Sequence, residues 1–143
     1  MSPVRLSPVC VVLLLATACG SSATGYTSAP VSAATTAAPV VTGQRINDGG
    51  TLDATNLTTV KMQTKNFLFS PSAIHGRPGQ KLTLVITNAS PTPHNFTLKA
   101  QQVNTDLATG ATQTVHITLP ASGVLVFTCE YHAHSGMAGT VGS

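Results

Sequence analysis

Apolar and polar positions alternate along much of the second half of the chain. From Thr112 to Leu119 the residues Val115, Ile117 and Leu119 fall on one side, and His116 falls on the other. Successive side chains of an extended chain point to opposite faces, so such a run predicts a strand with one buried side and His116 outside. His94, Phe96 and Leu98 share a face in the same way, as do Leu125, Phe127 and Cys129. Further strand-like runs are Val60 to Phe69, Lys81 to Asn88, His94 to Lys99, Gly123 to Cys129 and Met137 to Val141. Turn residues separate them, as in Arg77-Pro78-Gly79 and Leu119-Pro120-Ala121-Ser122-Gly123. Short alternating runs with turns between them predict an all-β two-sheet sandwich. No helical period is sustained. Residues 100–111 carry the weakest pattern and leave room for one helical turn.

The first part of the chain is organised differently. One positive charge within Met1 to Arg5 precedes the apolar run Val9 to Ala16, and Ala16-Thr17-Ala18 supplies small residues before Cys19. The run is shorter than the roughly 20 apolar residues that span a bilayer, so residues 1–18 read as a signal peptide. Small residues before a cysteine, with Gly20-Ser21-Ser22 after it, resemble a bacterial lipoprotein cleavage site at which Cys19 is lipidated. Ala16 stands where that pattern prefers leucine, so plain secretion is the alternative. Gly20 to Gln44 is rich in Ser, Thr, Ala and Pro, and carries no charge. A segment of that kind buries too little apolar surface to offset its ordering entropy and reads as a tether. With the turn-rich stretch that follows, the linker is expected over residues 19–57 and the compact domain over 58–143.

Composition narrows the function classes. The formal net charge is +3 and the chain has no tryptophan. The cations are scattered, not gathered into a stripe, which excludes a nucleic-acid reading. There is no phosphate-binding glycine loop or nucleophile elbow, and nothing suggests an enzyme.

The chemistry sits near the end, in Cys129-Glu130-Tyr131-His132-Ala133-His134-Ser135-Gly136-Met137. Of three cysteines, Cys10 and Cys19 belong to the leader and its cleavage point, so Cys129 has no disulfide partner in the domain. A thiolate, an imidazole and a thioether form a soft donor set that selects copper, and a second histidine completes a trigonal-plus-axial electron-transfer site. His94, after Ser90-Pro91-Thr92-Pro93, is the second histidine, in an inward-facing run. Zinc also accepts three such ligands but would be redox-silent. His75 falls in a turn and His116 on an outer face, both away from the site. His134 stands inside the loop and competes with His132 on residue type alone.

These segments resemble the blue-copper site of the plastocyanin/azurin group of cupredoxins. Pro93-His94-Asn95-Phe96 is similar to one half of that site, and C-x2-H-x4-M followed by Ala138-Gly139-Thr140-Val141 is similar to the other. Phe67-x-Phe69-x-Pro71-x2-Ala73-Ile74, Arg77-Pro78-Gly79-Gln80 and the run Leu82 to Asn88 resemble the group's early strands. The resemblance implies a Greek-key β-sandwich holding one copper ion through His94, Cys129, His132 and Met137, and its spacing assigns His132 over His134. It also implies that Asn95 hydrogen-bonds near the cysteine. Where the group has Ser or Thr after the cysteine, this chain has Glu130, which leaves backbone donors to close that clasp.

The expected function is a monomeric, membrane-tethered carrier of single electrons between transient redox partners outside the cytoplasm. The expected docking surface lies around His132, with Pro91, Pro93, Ala133 and Gly136. The alternative is a copper-binding or delivery module that treats the metal as cargo. A multicopper oxidase or reductase would need a second metal-binding cluster that the chain lacks.

Overall fold

The computed structural model describes residues 40–143 apart from Thr42. The expected signal peptide, Cys19 and most of the linker lie outside the described residues. Twelve strands follow in order. A hairpin of β1 (Val40–Val41) and β2 (Gln44–Arg45) comes first. Then come β3 (Thr51–Asp53), β4 (Thr59–Lys65), β5 (Leu68–Ser70), β6 (Ala73–His75) and β7 (Lys81–Asn88). The last five are β8 (His94–Leu98), β9 (Val103–Leu107), β10 (Thr112–Thr118), β11 (Val124–Thr128) and β12 (Ala138–Gly142).

Beyond the hairpin, the strands form two sheets, and the expected β-sandwich is what is found. One sheet runs β10-β7-β4-β5, and the other β3-β6-β12-β11-β8-β9. Alternation decides what each strand buries. Leu82, Leu84 and Ile86 of β7, Val60 and Met62 of β4, and Val115 and Ile117 of β10 turn inward, while His116 is exposed. From the second sheet Phe96, Leu98, Phe127 and Val141 meet them. Phe69, Phe96 and Phe127 form the centre, with ring centroids 5.1–5.9 Å apart in tilted and edge-on pairs. Each fully buried phenylalanine contributes about 1.5–3 kcal/mol through burial, with a further increment from the edge-on geometry.

Four features depart from the sequence reading. The run Val60 to Phe69 is a hairpin, not one strand: it turns at Asn66 and Phe67, with Lys65 opposite Leu68. Phe67 takes φ 60°, a left-handed conformation unusual for a bulky side chain, and no glycine or proline announced the turn. Residues 100–111 begin in a 3-10 turn, Lys99–Gln101, and then hold a full strand, β9, paired along its length with β8. Packing also begins upstream of Thr58. Ile46 and Ala54 are buried, and β3 joins the second sheet parallel to β6. His75 closes strand β6 where a turn was expected, and it is exposed.

Candidate metal centre

The two segments that carry the chemistry meet because β8 and β11 are neighbours, with Thr97 opposite Thr128. His94 opens β8, and Cys129 follows the last residue of β11. The chain then folds back on itself. His132 N–H donates to the Cys129 carbonyl at 3.1 Å, and a 3-10 turn occupies Ala133–Ser135. Met137 N–H donates to the His132 carbonyl at 3.2 Å, and Cys129 N–H donates to the Met137 carbonyl at 2.9 Å. The loop is thus closed at its base by its own first and last residues.

Within it, His94 Nδ1, His132 Nδ1 and Cys129 Sγ form a triangle. The two nitrogens are 3.2 Å apart, and the sulfur is 3.9 Å from His94 and 3.6 Å from His132. Bonds of about 2.0 Å to nitrogen and 2.3 Å to sulfur, spread evenly in a plane, require donor separations of about 3.5–3.7 Å. The three atoms therefore lie within about 0.3 Å of the separations that one small cation needs. Cys129, His94 and Met137 are fully buried, whereas His132 is half-buried and marks the side of the site nearest solvent. His134 is exposed and outside this triangle.

The surroundings decide which nitrogen of His94 is free. Its Nε2 is 2.7 Å from Ser90 Oγ. That hydroxyl has one proton and two carbonyl acceptors at 2.9 Å, Asn88 Oδ1 and the Thr92 backbone oxygen. The arrangement makes His94 the donor, Nε2–H to Ser90 Oγ, and leaves the Nδ1 lone pair facing Cys129 and His132. Asn88 is itself fixed: its Oδ1 accepts from Thr64 Oγ1 at 2.9 Å, and its Nδ2 donates to the Leu107 carbonyl at 2.9 Å. A buried polar chain therefore runs from β4 in the first sheet to the imidazole. Burial, and then the neighbouring His132 charge, pull the His94 pKa below its usual value.

Asn95 is buried beside the cysteine. Its Oδ1 accepts the Thr97 hydroxyl at 2.6 Å and, more loosely, the Glu130 backbone N–H at 3.4 Å. The hydroxyl missing after the cysteine is supplied on the same strand as Asn95. The Glu130 side chain is exposed, and Oε2 accepts from Asn104 Nδ2 at 3.2 Å. Asn95 Nδ2 donates to Asn104 Oδ1 at 2.6 Å, and Tyr131 OH donates to Asp106 Oδ1 at 2.6 Å. The Tyr131 and Asn95 hydrogen bonds hold the Asp106 carboxyl below its usual range, and the Asp106 bond raises the Tyr131 phenol.

The rim around His132 is aromatic as well as small. The Phe67 ring lies tilted at 56° against His132, centroids 4.8 Å apart, and Tyr131 stands edge-on at 6.3 Å. Pro91 and Pro93 are exposed as expected, but Gly136 is buried, because Asn47 lies against it. Sequence reasoning missed Ser90, Asn88, Thr97 and Asn47. The one available signal was Asn88, a polar residue that closes an apolar strand just before a proline-rich turn.

Among known proteins, a family model described as a cupredoxin-like domain matches residues 11–141. No curated protein sequence matches the chain. Reduced auracyanin from Roseiflexus castenholzii is 21% identical, with a TM-score of 0.52 over 59% of this chain and 95% of that one. The metal-binding domain of the Streptococcus pneumoniae Cu(I)-exporting P-type ATPase CopA is 12% identical, with a TM-score of 0.55 over 67% and 97%. Auracyanin B is 15% identical, with a TM-score of 0.50 over 69% and 93%. At these identities the likeness is one of fold.

Proposed function

We propose, since the chain belongs to the cupredoxin-like family, that it is a type 1 copper protein carrying single electrons between redox partners and not an enzyme. The observation that carries this reading is the triangle of His94 Nδ1, His132 Nδ1 and Cys129 Sγ, with edges of 3.2–3.9 Å, formed by side chains alone. Met137, buried at the end of the same loop, would supply the fourth donor. Copper, when bound there, supplies a one-electron Cu(I)/Cu(II) couple.

The chain's own residues do the rest. Ser90 keeps a proton on the far nitrogen of His94, so the donor atom stays available. Asn95 and the loop hydrogen bonds hold Cys129 in place. The buried side chains of His94, Cys129 and Met137 keep bulk water from the donors. Half-buried His132 is the exit for the electron, and exposed Phe67, Tyr131, Pro91 and Pro93 around it form the surface on which a transient partner docks. The protein works as a monomer outside the cytoplasm, held to a membrane through lipidated Cys19 or else secreted. Among the described residues no helix is long and apolar enough to cross a membrane.

The test is the visible spectrum of the chain after one equivalent of Cu(II). An intense blue thiolate-to-copper band that bleaches with reductant and returns on oxidation is expected. Copper bound without that band, and lost readily to a chelator, would make the protein a delivery module instead.

A further inference from the structure

The segment before the first large strand is folded onto the metal loop. Gln44 Nε2 donates to the Ala133 carbonyl at 3.0 Å, and Asn47 N–H donates to the Gly136 carbonyl at 2.8 Å. The Asn47 side chain does more. Its Nδ2 donates to the Ser135 carbonyl at 2.8 Å and to the Phe67 carbonyl at 2.7 Å. One amide group therefore ties the loop that carries Cys129, His132 and Met137 to the β4–β5 turn. The second tie matters because Phe67 holds a left-handed conformation, φ 60°, and places its ring 4.8 Å from His132. Ile46, the residue before Asn47, is buried, which anchors the segment in the domain.

Gly136 is matched to this clamp. It has φ 83°, and a Cβ built there would lie 2.7 Å from Asn47 Oδ1 and 3.0 Å from Asn47 Cγ. Only glycine lets the asparagine close onto the loop while turning the chain back toward Met137.

We propose that Asn47 is a positioning residue for the metal centre: it holds the ligand loop and the Phe67 turn together around His132, so that the segment upstream of the sandwich sets the geometry of the site. This rests on the copper reading only for its second readout. Nδ2 supplies both side-chain bonds, so the requirement is for a donor. Aspartate, nearly the same shape, would fail as alanine does.

The test compares the full chain with its Asn47→Ala and Asn47→Asp variants. Without metal, hydrogen exchange at Ser135 and Met137, whose amides close the loop on His132, is expected to be about tenfold faster in both variants, from the loss of two hydrogen bonds. Exchange in the β7–β10 pairing should not change. With copper, both variants should release the metal to a chelator about tenfold faster, with a shifted visible spectrum. Unaltered loop exchange would overturn the proposal, as would equal acceleration in β7 and β10 or full rescue by aspartate. A wild-type chain that gives no blue band would count against the copper reading alone, because the exchange data stand without it.

Discussion

Ser90 and His94 are joined by a hydrogen bond of 2.7 Å that makes the histidine a donor through Nε2 and an acceptor, or ligand, through Nδ1. The serine hydroxyl is held in turn by Asn88 and Thr92. Ser90→Ala leaves the Nε2–H buried without a partner. It should destabilise the metal-free protein by about 1–3 kcal/mol and weaken metal binding by about 10–100-fold. Ser90→Thr, which keeps the hydroxyl, should recover most of both. Nitrogen chemical shifts of the His94 ring would report the tautomer directly: the Nε2–H form in the wild type and a mixture in Ser90→Ala. A wild-type ring already in the Nδ1–H form would remove this account.

The same histidine gives the metal-free protein a pH dependence. Burial and the His132 charge both disfavour the imidazolium, so the folded pKa lies below the ordinary value near 6.5. As pH falls through that value, the unfolded chain takes up a proton that the folded chain does not, and stability falls. The loss continues until His94 itself is protonated, with a slope of at most about 1.4 kcal/mol per pH unit for one proton. Above the ordinary value this contribution is complete and flat. Urea midpoints between pH 8 and pH 5 should show the decline in the wild type and a shallower one in His94→Gln. Equal slopes would mean that His94 is not the group responsible.

Much of the framework is legible in the sequence, and the exceptions have physical causes. The strand β7 coincides with the run Lys81 to Asn88 because alternation against one buried face is strong there. His94, Cys129 and His132 were legible because their chemistry is rare in combination and their spacing short. The β4–β5 hairpin was not, since its turn relies on a left-handed Phe67 held by a hydrogen bond to Asn47, far away in sequence. Asn47 itself sits in a stretch whose composition reads as linker. Polar residues that work through long-range hydrogen bonds leave no periodic trace. Ser90, inside a turn, had the same disguise.

Gly139 illustrates a constraint from packing alone. A Cβ there would overlap the edge of the Phe127 ring and the Ser72 carbonyl oxygen, and Phe127 is central to the core. Gly139→Ala should therefore cost about 1–3 kcal/mol of stability through displacement of that ring. Chemical denaturation would measure the loss, and a change below about 0.5 kcal/mol, the range of surface substitutions, would show that β12 shifts freely.

Glu130 places a carboxylate next to the cysteine, on the exposed side of the chain, with Asn104 donating to it at 3.2 Å. A negative charge there favours the more positive oxidised metal, so its removal should raise the reduction potential. Exposure limits the effect. Exposed charge pairs are worth about 0.2–1 kcal/mol, which for one electron is about 10–40 mV. Glu130→Gln, which keeps an acceptor for Asn104, should raise the potential within that range at low salt. At high salt, where the Debye length shrinks to a few ångströms, the difference should narrow. Voltammetry of both proteins at two ionic strengths would settle it. A potential that stays put at low salt would show that the charge is screened from the metal, and a shift that ignores salt would point to a changed hydrogen bond at Asn104 or Asn95 instead of the charge.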